Sequence, residues 1–407
     1  MVLALGVVLV ASNLRPAVAA VGPLLHRIEV GEGISNAGAS ALTTLPVLCY
    51  GLVAPVAPLL VRRLGFYATV AMALAVLLVG QLLRLVTGVE FLFLGTALAG
   101  SAIAIGNVLM PVMVRRDFTA RAGTAMSVFS TCLMGCAALA AGVSVPVANA
   151  LGGGWRPGLG IWAVPAGVAA LVWLPALIRR RSAGSNAGES AVPVEPRPRD
   201  LRLLLRNPLA WQVTLFFAVQ SGSFYATLAW LPSIYRSHGY SEAHAGVLLS
   251  VNLVVGTFTG VAIPGLAHRL RDQRGLVIVS CVLAAVGWVG ILLVPTTAAY
   301  LWVVVLGLGQ NAAFPLVMMM IVLRGGSVRI TQSLSAMAQS VGYVLAALAP
   351  LAVGALHGVT HTWTPELILL LALVLPQLFL GLGAGRARLL SAAGSHPAPA
   401  PVAPPAP

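Results

Sequence analysis

Apolar runs of bilayer length recur from one end of this chain to the other, and short loops between them hold nearly all of its charge. A helix needs about 20 consecutive apolar residues to cross the hydrocarbon core. In lipid only helices and closed barrels satisfy their own backbone. A barrel would read as alternating segments of about 10 residues, and these runs do not alternate. Only 8% of the residues are charged and 59% are hydrophobic, against about 25% charged in soluble domains. The chain is therefore read as an all-α integral membrane protein. Twelve transmembrane helices are predicted, over residues 2–25, 38–61, 66–86, 91–114, 123–149, 158–178, 208–235, 243–266, 276–295, 299–323, 332–356 and 367–384. The first 25 residues lack the basic n-region of a signal peptide and read as span one. The chain begins abruptly at that span, as one lacking a few upstream residues would.

The net charge of +14 reports topology rather than a nucleic-acid partner. Every basic residue is Arg, and 19 of the 24 fall after even-numbered spans, as Arg62, Arg63, Arg115, Arg116, Arg269 and Arg324 do. Arg27, Arg84, Arg156 and Arg236 fall on the opposite face. By the positive-inside rule the arginine-rich face is cytoplasmic. The expectation is a multi-pass protein of the inner (plasma) membrane with both termini inside. Residues 1–178 and 208–384 form two six-helix bundles, 179–207 a polar cytoplasmic linker, and 385–407 a disordered Pro/Ala-rich tail. The segment from Arg199 to Arg206 interleaves Arg with Leu and reads as a short surface helix.

The halves repeat. Pro23 matches Pro232, Pro58 matches Pro264, and Asn107 with Pro111 matches Asn311 with Pro315, at offsets of 209, 206 and 204. One such match is weak. Three in one order at nearly one offset resemble the parallel six-plus-six repeat of the major facilitator fold, two pseudo-symmetric six-helix bundles.

Asn13-Leu14-Arg15-Pro16 and Arg115-Arg116-Asp117-Phe118 carry a closer resemblance, supported by stretches such as Leu42 to Pro58, Gln220 to Pro232 and Ala336 to Pro350. Over residues 1–385 the chain resembles the cyanate / 2-nitroimidazole transporter (CynX/NimT) family. That resemblance implies a secondary transporter of small anionic or electron-rich solutes. The superfamily's loop motif after span two is degraded: Arg62-Arg63-Leu64-Gly65 lacks the usual preceding Asp. The Gly-Pro pairing of the antiporter motif in span five is also missing.

In such a fold spans one, four, seven and ten line the cavity near the midplane. The candidate substrate-binding residues are therefore Asn13 and Arg15 on span one, Asn107 on span four, Gln220, Phe224 and Tyr225 on span seven, and Gln310 and Asn311 on span ten, joined by Gln339 and Tyr343 on span eleven. Arg15 is the only charge read deep inside an apolar run, where a guanidinium costs about 2.5–3.5 kcal/mol on insertion scales. It suits bidentate recognition of an anion, or else caps helix carbonyls freed by Pro16. Asn107 and Asn311 pair across the cavity or glue helices together. Phe224, Tyr225 and Trp230 form an aromatic wall or simply pack, and Tyr50 is a weaker gate candidate.

The ten acidic residues all lie in loops or at span ends, so no buried carboxylate is expected as a proton relay. Glu90 and Glu242 are the only candidates left, and His26, His238, His244, His357 and His361 read more simply as outer-loop residues. Cys49, Cys132, Cys136 and Cys281 fall in apolar spans without His or carboxylate neighbours, so neither a disulfide framework nor a metal is expected. There is no phosphate-binding loop, no catalytic constellation and no cofactor motif, hence no enzyme. The partners expected are a small-molecule solute and the lipid bilayer, with the chain working as a monomer. Export of neutral or lipophilic drugs is the nearest alternative, disfavoured for cations by the missing carboxylate. A non-transporting receptor or scaffold is the alternative from another class.

Overall fold

The computed structural model describes residues 2–118, 122–182 and 198–390. The helices group into twelve membrane-length segments in chain order. Span one is three pieces, Val2–Leu14, Pro16–Ala19 and Val21–Glu32, and span two is Asn36–Val53 and Ala57–Leu64 around a single 3-10 turn. Spans three to five are Phe66–Leu83, Val89–Asp117 and Ala122–Ala150, and span six is Trp155–Gly160 with Ala163–Ser182. Spans seven to ten are Pro208–Ser237, Glu242–Arg269, Arg274–Leu293 and Ala299–Arg324. Span eleven is Val328–Ala346 with Leu348–Thr360, and span twelve Thr364–Ala372 with Val374–Ala384. Among the described residues nine segments are long and apolar enough to cross a bilayer, and span one adds a tenth as a bent pair. The predicted surface helix appears as Pro198–Leu205, with Leu204 buried. The rest of the predicted linker over 183–197, and the tail from 391, lie outside the described residues.

Prolines set the breaks. Proline has no N–H and its ring crowds the carbonyl four residues back. The second piece of span one ends at Ala19, four before Pro23. The first piece of span eleven ends at Ala346, four before Pro350, and that of span twelve at Ala372, four before Pro376. In span one the pieces before and after Ala20 differ in direction by 45°.

Across the two halves span one packs on seven, two on eleven and five on eight. A Cβ built on Gly22 would lie 2.3 Å from the Leu228 carbonyl oxygen, one on Gly246 2.6 Å from that of Ala141, and one on Gly142 3.2 Å from Ser250 Oγ. Seven residues is nearly two helical turns, so it returns to the same face. Seven residues before Gly142 stands Gly135, and fourteen after Gly246 stands Gly260; a Cβ on either meets nothing within 4 Å. The halves are thus in close contact at Gly22, Gly142 and Gly246, while Gly135 and Gly260, nearer the arginine-rich loops, have open space beside them.

An ion-pair latch closes that far end. Arg27 Nε of span one donates to Glu242 Oε2 of span eight at 2.5 Å. Its other nitrogens donate to Asn149 Oδ1 at 2.7 Å and the Gly153 carbonyl at 3.0 Å. Arg236 stands 3.8 Å from Glu242. The pair is about one-fifth exposed, so screening limits it to about 1 kcal/mol. Replacing Arg27 by Gln is expected to raise, several-fold, the rate at which a membrane-impermeant maleimide reaches a cysteine in place of Ser233, half-buried in the cleft beside Trp230 and Arg236.

Two expectations are corrected by the fold. Arg15 is not the sole interior charge: Arg84 and Arg324 are also buried, at 2% and 4% exposure. Both sit at span ends, and their long side chains turn back into the protein, which a position in sequence does not reveal. Arg324 binds Gln273 Oε1 and the carbonyls of Ala384 and Gly385, tying span ten to its neighbours. Second, Glu366 is at a span end as read, yet fully enclosed. It accepts from Thr360 Oγ1 at 2.8 Å, beneath a His357–Trp363 stack with ring centroids 3.9 Å apart. The tight turn between spans eleven and twelve folds that stack over it. Just past the degraded loop, the head of span three is tied to span four. Tyr67 donates to Asp117 Oδ2 at 2.8 Å, Arg116 Nη2 donates to the Tyr67 hydroxyl at 2.8 Å, and the Arg116 guanidinium lies 4.9 Å from the Tyr67 ring.

Candidate functional site

The break in span one places Arg15 between two helical pieces, with Pro16 opening the second. Proline at a first helical position loses nothing, since that N–H has no partner within the helix. Arg15 is 5% exposed and aims at span seven. Its Nη1 donates to the Tyr225 hydroxyl at 3.0 Å. Its guanidinium carbon lies 5.4 Å from the Phe224 ring centre and 5.7 Å from that of Tyr225. Cations are attracted to such faces, more strongly when desolvated.

Two further phenols close around it. Tyr50 of span two stands 5.8 Å from Tyr225 and 5.4 Å from Tyr343 of span eleven, which is itself 6.2 Å from Tyr225. Phe217, two turns before Phe224 on span seven, backs Tyr343 edge-on at 4.9 Å. The cluster thus draws on spans one, two, seven and eleven, from both halves. Tyr50 and Tyr343 are buried as well. Arg15 Nε and the Tyr50 hydroxyl have no hydrogen-bond partner among the described residues. A box with a guanidinium, three phenols and no carboxylate offers donors and π faces. It favours a solute that accepts hydrogen bonds and carries negative charge.

The other candidates divide. Gln310 donates to Ser223 Oγ at 2.8 Å and Thr227 Oγ1 at 3.0 Å, on either side of Phe224, and its Oε1 is unpartnered. Gln220 donates to Ser221 Oγ at 2.5 Å, and its Oε1 is also unpartnered. Both are buried acceptors, Gln220 on span seven and Gln310 on span ten, which packs against seven. Asn311 turns instead to span eight, donating to the Asn252 carbonyl at 2.9 Å. Asn13 turns to span six, donating to the Pro165 carbonyl at 3.2 Å and to Leu9 at 2.7 Å. Gln339 bonds one turn back to Ser335 at 2.9 Å, and Asn107 is half-buried. Trp230 donates to the Pro350 carbonyl at 3.0 Å, near the far end. Among the described residues Arg15 makes no bond to carbonyls loosened by Pro16; Arg84 reaches a span-one carbonyl instead, that of Ala17 at 2.6 Å.

Sequence reasoning missed Phe217 and undervalued Tyr50. Phe217 could have been found from its spacing of seven from Phe224. Tyr50 lies on a span that the four-span cavity rule leaves out.

The chain matches the Major Facilitator Superfamily over residues 2–350. It belongs to that superfamily. It is 36% identical over 386 residues to the uncharacterized transporter YycB of Bacillus subtilis (strain 168), covering 95% of this chain and 94% of that one. It is 35% identical to the 2-nitroimidazole transporter of Escherichia coli (strain K12), over 95% of each chain. It is 31% identical to the cyanate transport protein CynX of the same organism, over 88% of this chain and 90% of that one. The fold is similar to that of the crystal structure of the D-xylose-proton symporter, with a TM-score of 0.74, 12% identity and coverage of 95% and 97%. This major facilitator is thus a multi-pass membrane transporter and not an enzyme, and the helical grouping above is the facilitator arrangement.

Proposed function

We propose that this facilitator carries a small planar anion or electron-rich heterocycle by alternating access, with Arg15 as its anchor. The observation that carries the reading is the Arg15 guanidinium, buried among Phe224, Tyr225, Tyr50 and Tyr343 with no carboxylate in contact. Solute charge supplies the counter-ion the protein omits, so an occupied site crosses the membrane interior at lower cost than an empty one. Gln310 and Gln220 supply the unpartnered acceptors that read a ring N–H. The relatives named for 2-nitroimidazole and cyanate agree in chemistry, one a nitroheterocycle and the other a small anion. On that reading, with the arginine-rich end in the cytoplasm, the Arg27–Glu242 latch closes the outer end and supports an inward-facing form.

The test is flux in proteoliposomes with radiolabelled cyanate, 2-nitroimidazole and a lipophilic cation. The expected result is saturable transport of at least one of the first two, each competing with the other, and none of the cation. Transport of the cation alone would instead place the chain among exporters of lipophilic drugs.

A further inference from the structure

We propose that Arg84 is a positioning residue that pins the bend of span one and so controls closure of the end opposite the arginine-rich loops. Three observations meet at this side chain. Arg84 is 2% exposed, at the end of span three, and lies wholly inside the first bundle. Its Nη1 donates to the Ala17 carbonyl at 2.6 Å, three residues before the bend at Ala20. Its Nε donates to Thr96 Oγ1 of span four at 3.0 Å, and that hydroxyl donates in turn to the Leu92 carbonyl at 2.7 Å.

The geometry of a guanidinium explains why it is Arg. Its planar fork fixes two acceptors on different helices at one angle, which an ammonium on a flexible stem does not. The fork is held from behind. A Cβ on Gly95 of span four would lie 2.9 Å from Arg84 Cγ, so the stem runs against bare backbone there. A Cβ on Gly80 would lie 2.7 Å from the Gly95 carbonyl oxygen, so spans three and four are locked together just below. Span one is therefore clamped to a rigid pair of helices at Ala17, while Pro23 denies Ala19 its ladder donor and leaves the stretch between them free to bend.

What lies beyond the bend gives the pin its consequence. Gly22 is two residues past Ala20 and meets the backbone of span seven at Leu228, three residues after Tyr225. Arg27 forms the latch to Glu242 another turn on. The direction of the outer piece of span one decides whether both contacts are made. Helix glue alone would need only a neutral donor; a buried cation with no carboxylate partner is an expensive way to hold one carbonyl, and is explained if the bend must be set firmly in one state.

The experiment uses the full chain with its four cysteines replaced by Ala, in nanodiscs. Spin labels at Val30→Cys and Val79→Cys report the outer piece of span one against span three. Labelling of Ser233→Cys by an impermeant maleimide reports closure, and 2-nitroimidazole flux reports function. Arg84→Gln is expected to broaden the distance distribution, raise Ser233→Cys labelling several-fold, and lower maximal flux at least fivefold with apparent KM within twofold. Arg84→Lys keeps the charge but not the fork and is expected to restore only part of each. Should Arg84→Gln fail to fold, Thr96→Val leaves the arginine in place, removes one of its two acceptors and is expected to shift all three in the same direction by less. Wild-type distances and labelling in the variant that folds would overturn the proposal, as would a raised KM with unchanged maximal flux. The distance and labelling readouts need no solute, so they stand apart from the anchor reading: if Arg15→Gln bound 2-nitroimidazole normally while Arg84→Gln still loosened the bend, the anchor would fall and the pin would remain.

Discussion

Arg15→Gln is expected to raise the dissociation constant for the transported anion about a hundredfold while leaving the melting temperature unchanged or slightly higher. A charge-assisted, two-point contact removed from a dry site is worth about 3 kcal/mol, or about two orders of magnitude in affinity. The folded protein, by contrast, loses one hydrogen bond to Tyr225 with the π contacts to Phe224 and Tyr225, and sheds an interior cation. Those two terms are comparable in size and opposite in sign, at about 1–3 kcal/mol each. The split between affinity and stability is what distinguishes an anchor from a strut: a structural arginine would lower the melting temperature and spare the affinity. Isothermal titration with cyanate and 2-nitroimidazole, alongside thermal unfolding in the same detergent, measures both. Arg15→Lys keeps the charge without the planar fork and is expected to fall between, about tenfold weaker than wild type. Near-normal affinity in Arg15→Gln would remove the anchor from this site.

Arg15 and Arg84 together mark how far the sequence could be read. Arg15 stands in the middle of an apolar run, so its depth follows from its position alone. Arg84 stands at the end of one, where an arginine normally reaches out to the interface; that it turns inward depends on Gly95 leaving room and Ala17 offering a carbonyl, both distant in sequence. Glu366 was hidden for the same reason, because the side chains that cover it belong to the turn before it. The aromatic box was half legible. Phe224 and Tyr225 follow from the pseudo-symmetry that places span seven opposite span one, and Phe224 is Arg15's own counterpart at the 209 offset. Tyr50 joins them only because span two crosses to span eleven, a pairing between halves that periodicity within either half cannot report. Asn13 and Asn311 show the converse. Each lies on a cavity-lining span at the right depth, but a hundred-degree step per residue decides the face, and both bond to a neighbouring helix instead.

Gly22→Val is expected to lower maximal flux about ten- to a hundredfold, with the protein still inserted and folded. A Cβ at this position would lie 2.3 Å from the Leu228 carbonyl oxygen and 3.2 Å from that of Ala229. Both are backbone atoms of a helix, so neither can rotate away as a side chain would. The clash is specific to one state. On the alternating-access reading the two halves part at Gly22 when the end opposite the arginine-rich loops opens, and the added methyls then lose the clash. Overpacking of this kind costs about 1–3 kcal/mol. Added to a two-state equilibrium that balances to within a few kcal/mol, that is enough to shift the population about ten- to a hundredfold towards the form open at the far end. The variant should therefore label rapidly at Ser233→Cys from the outside while its melting temperature stays close to wild type, because one whole state is unstrained. Gly22→Ala, with one carbon, is expected to be intermediate in both flux and labelling. A Gly22→Val protein that transports normally, or one that unfolds without becoming more accessible at Ser233, would show that spans one and seven do not part at this point during the cycle.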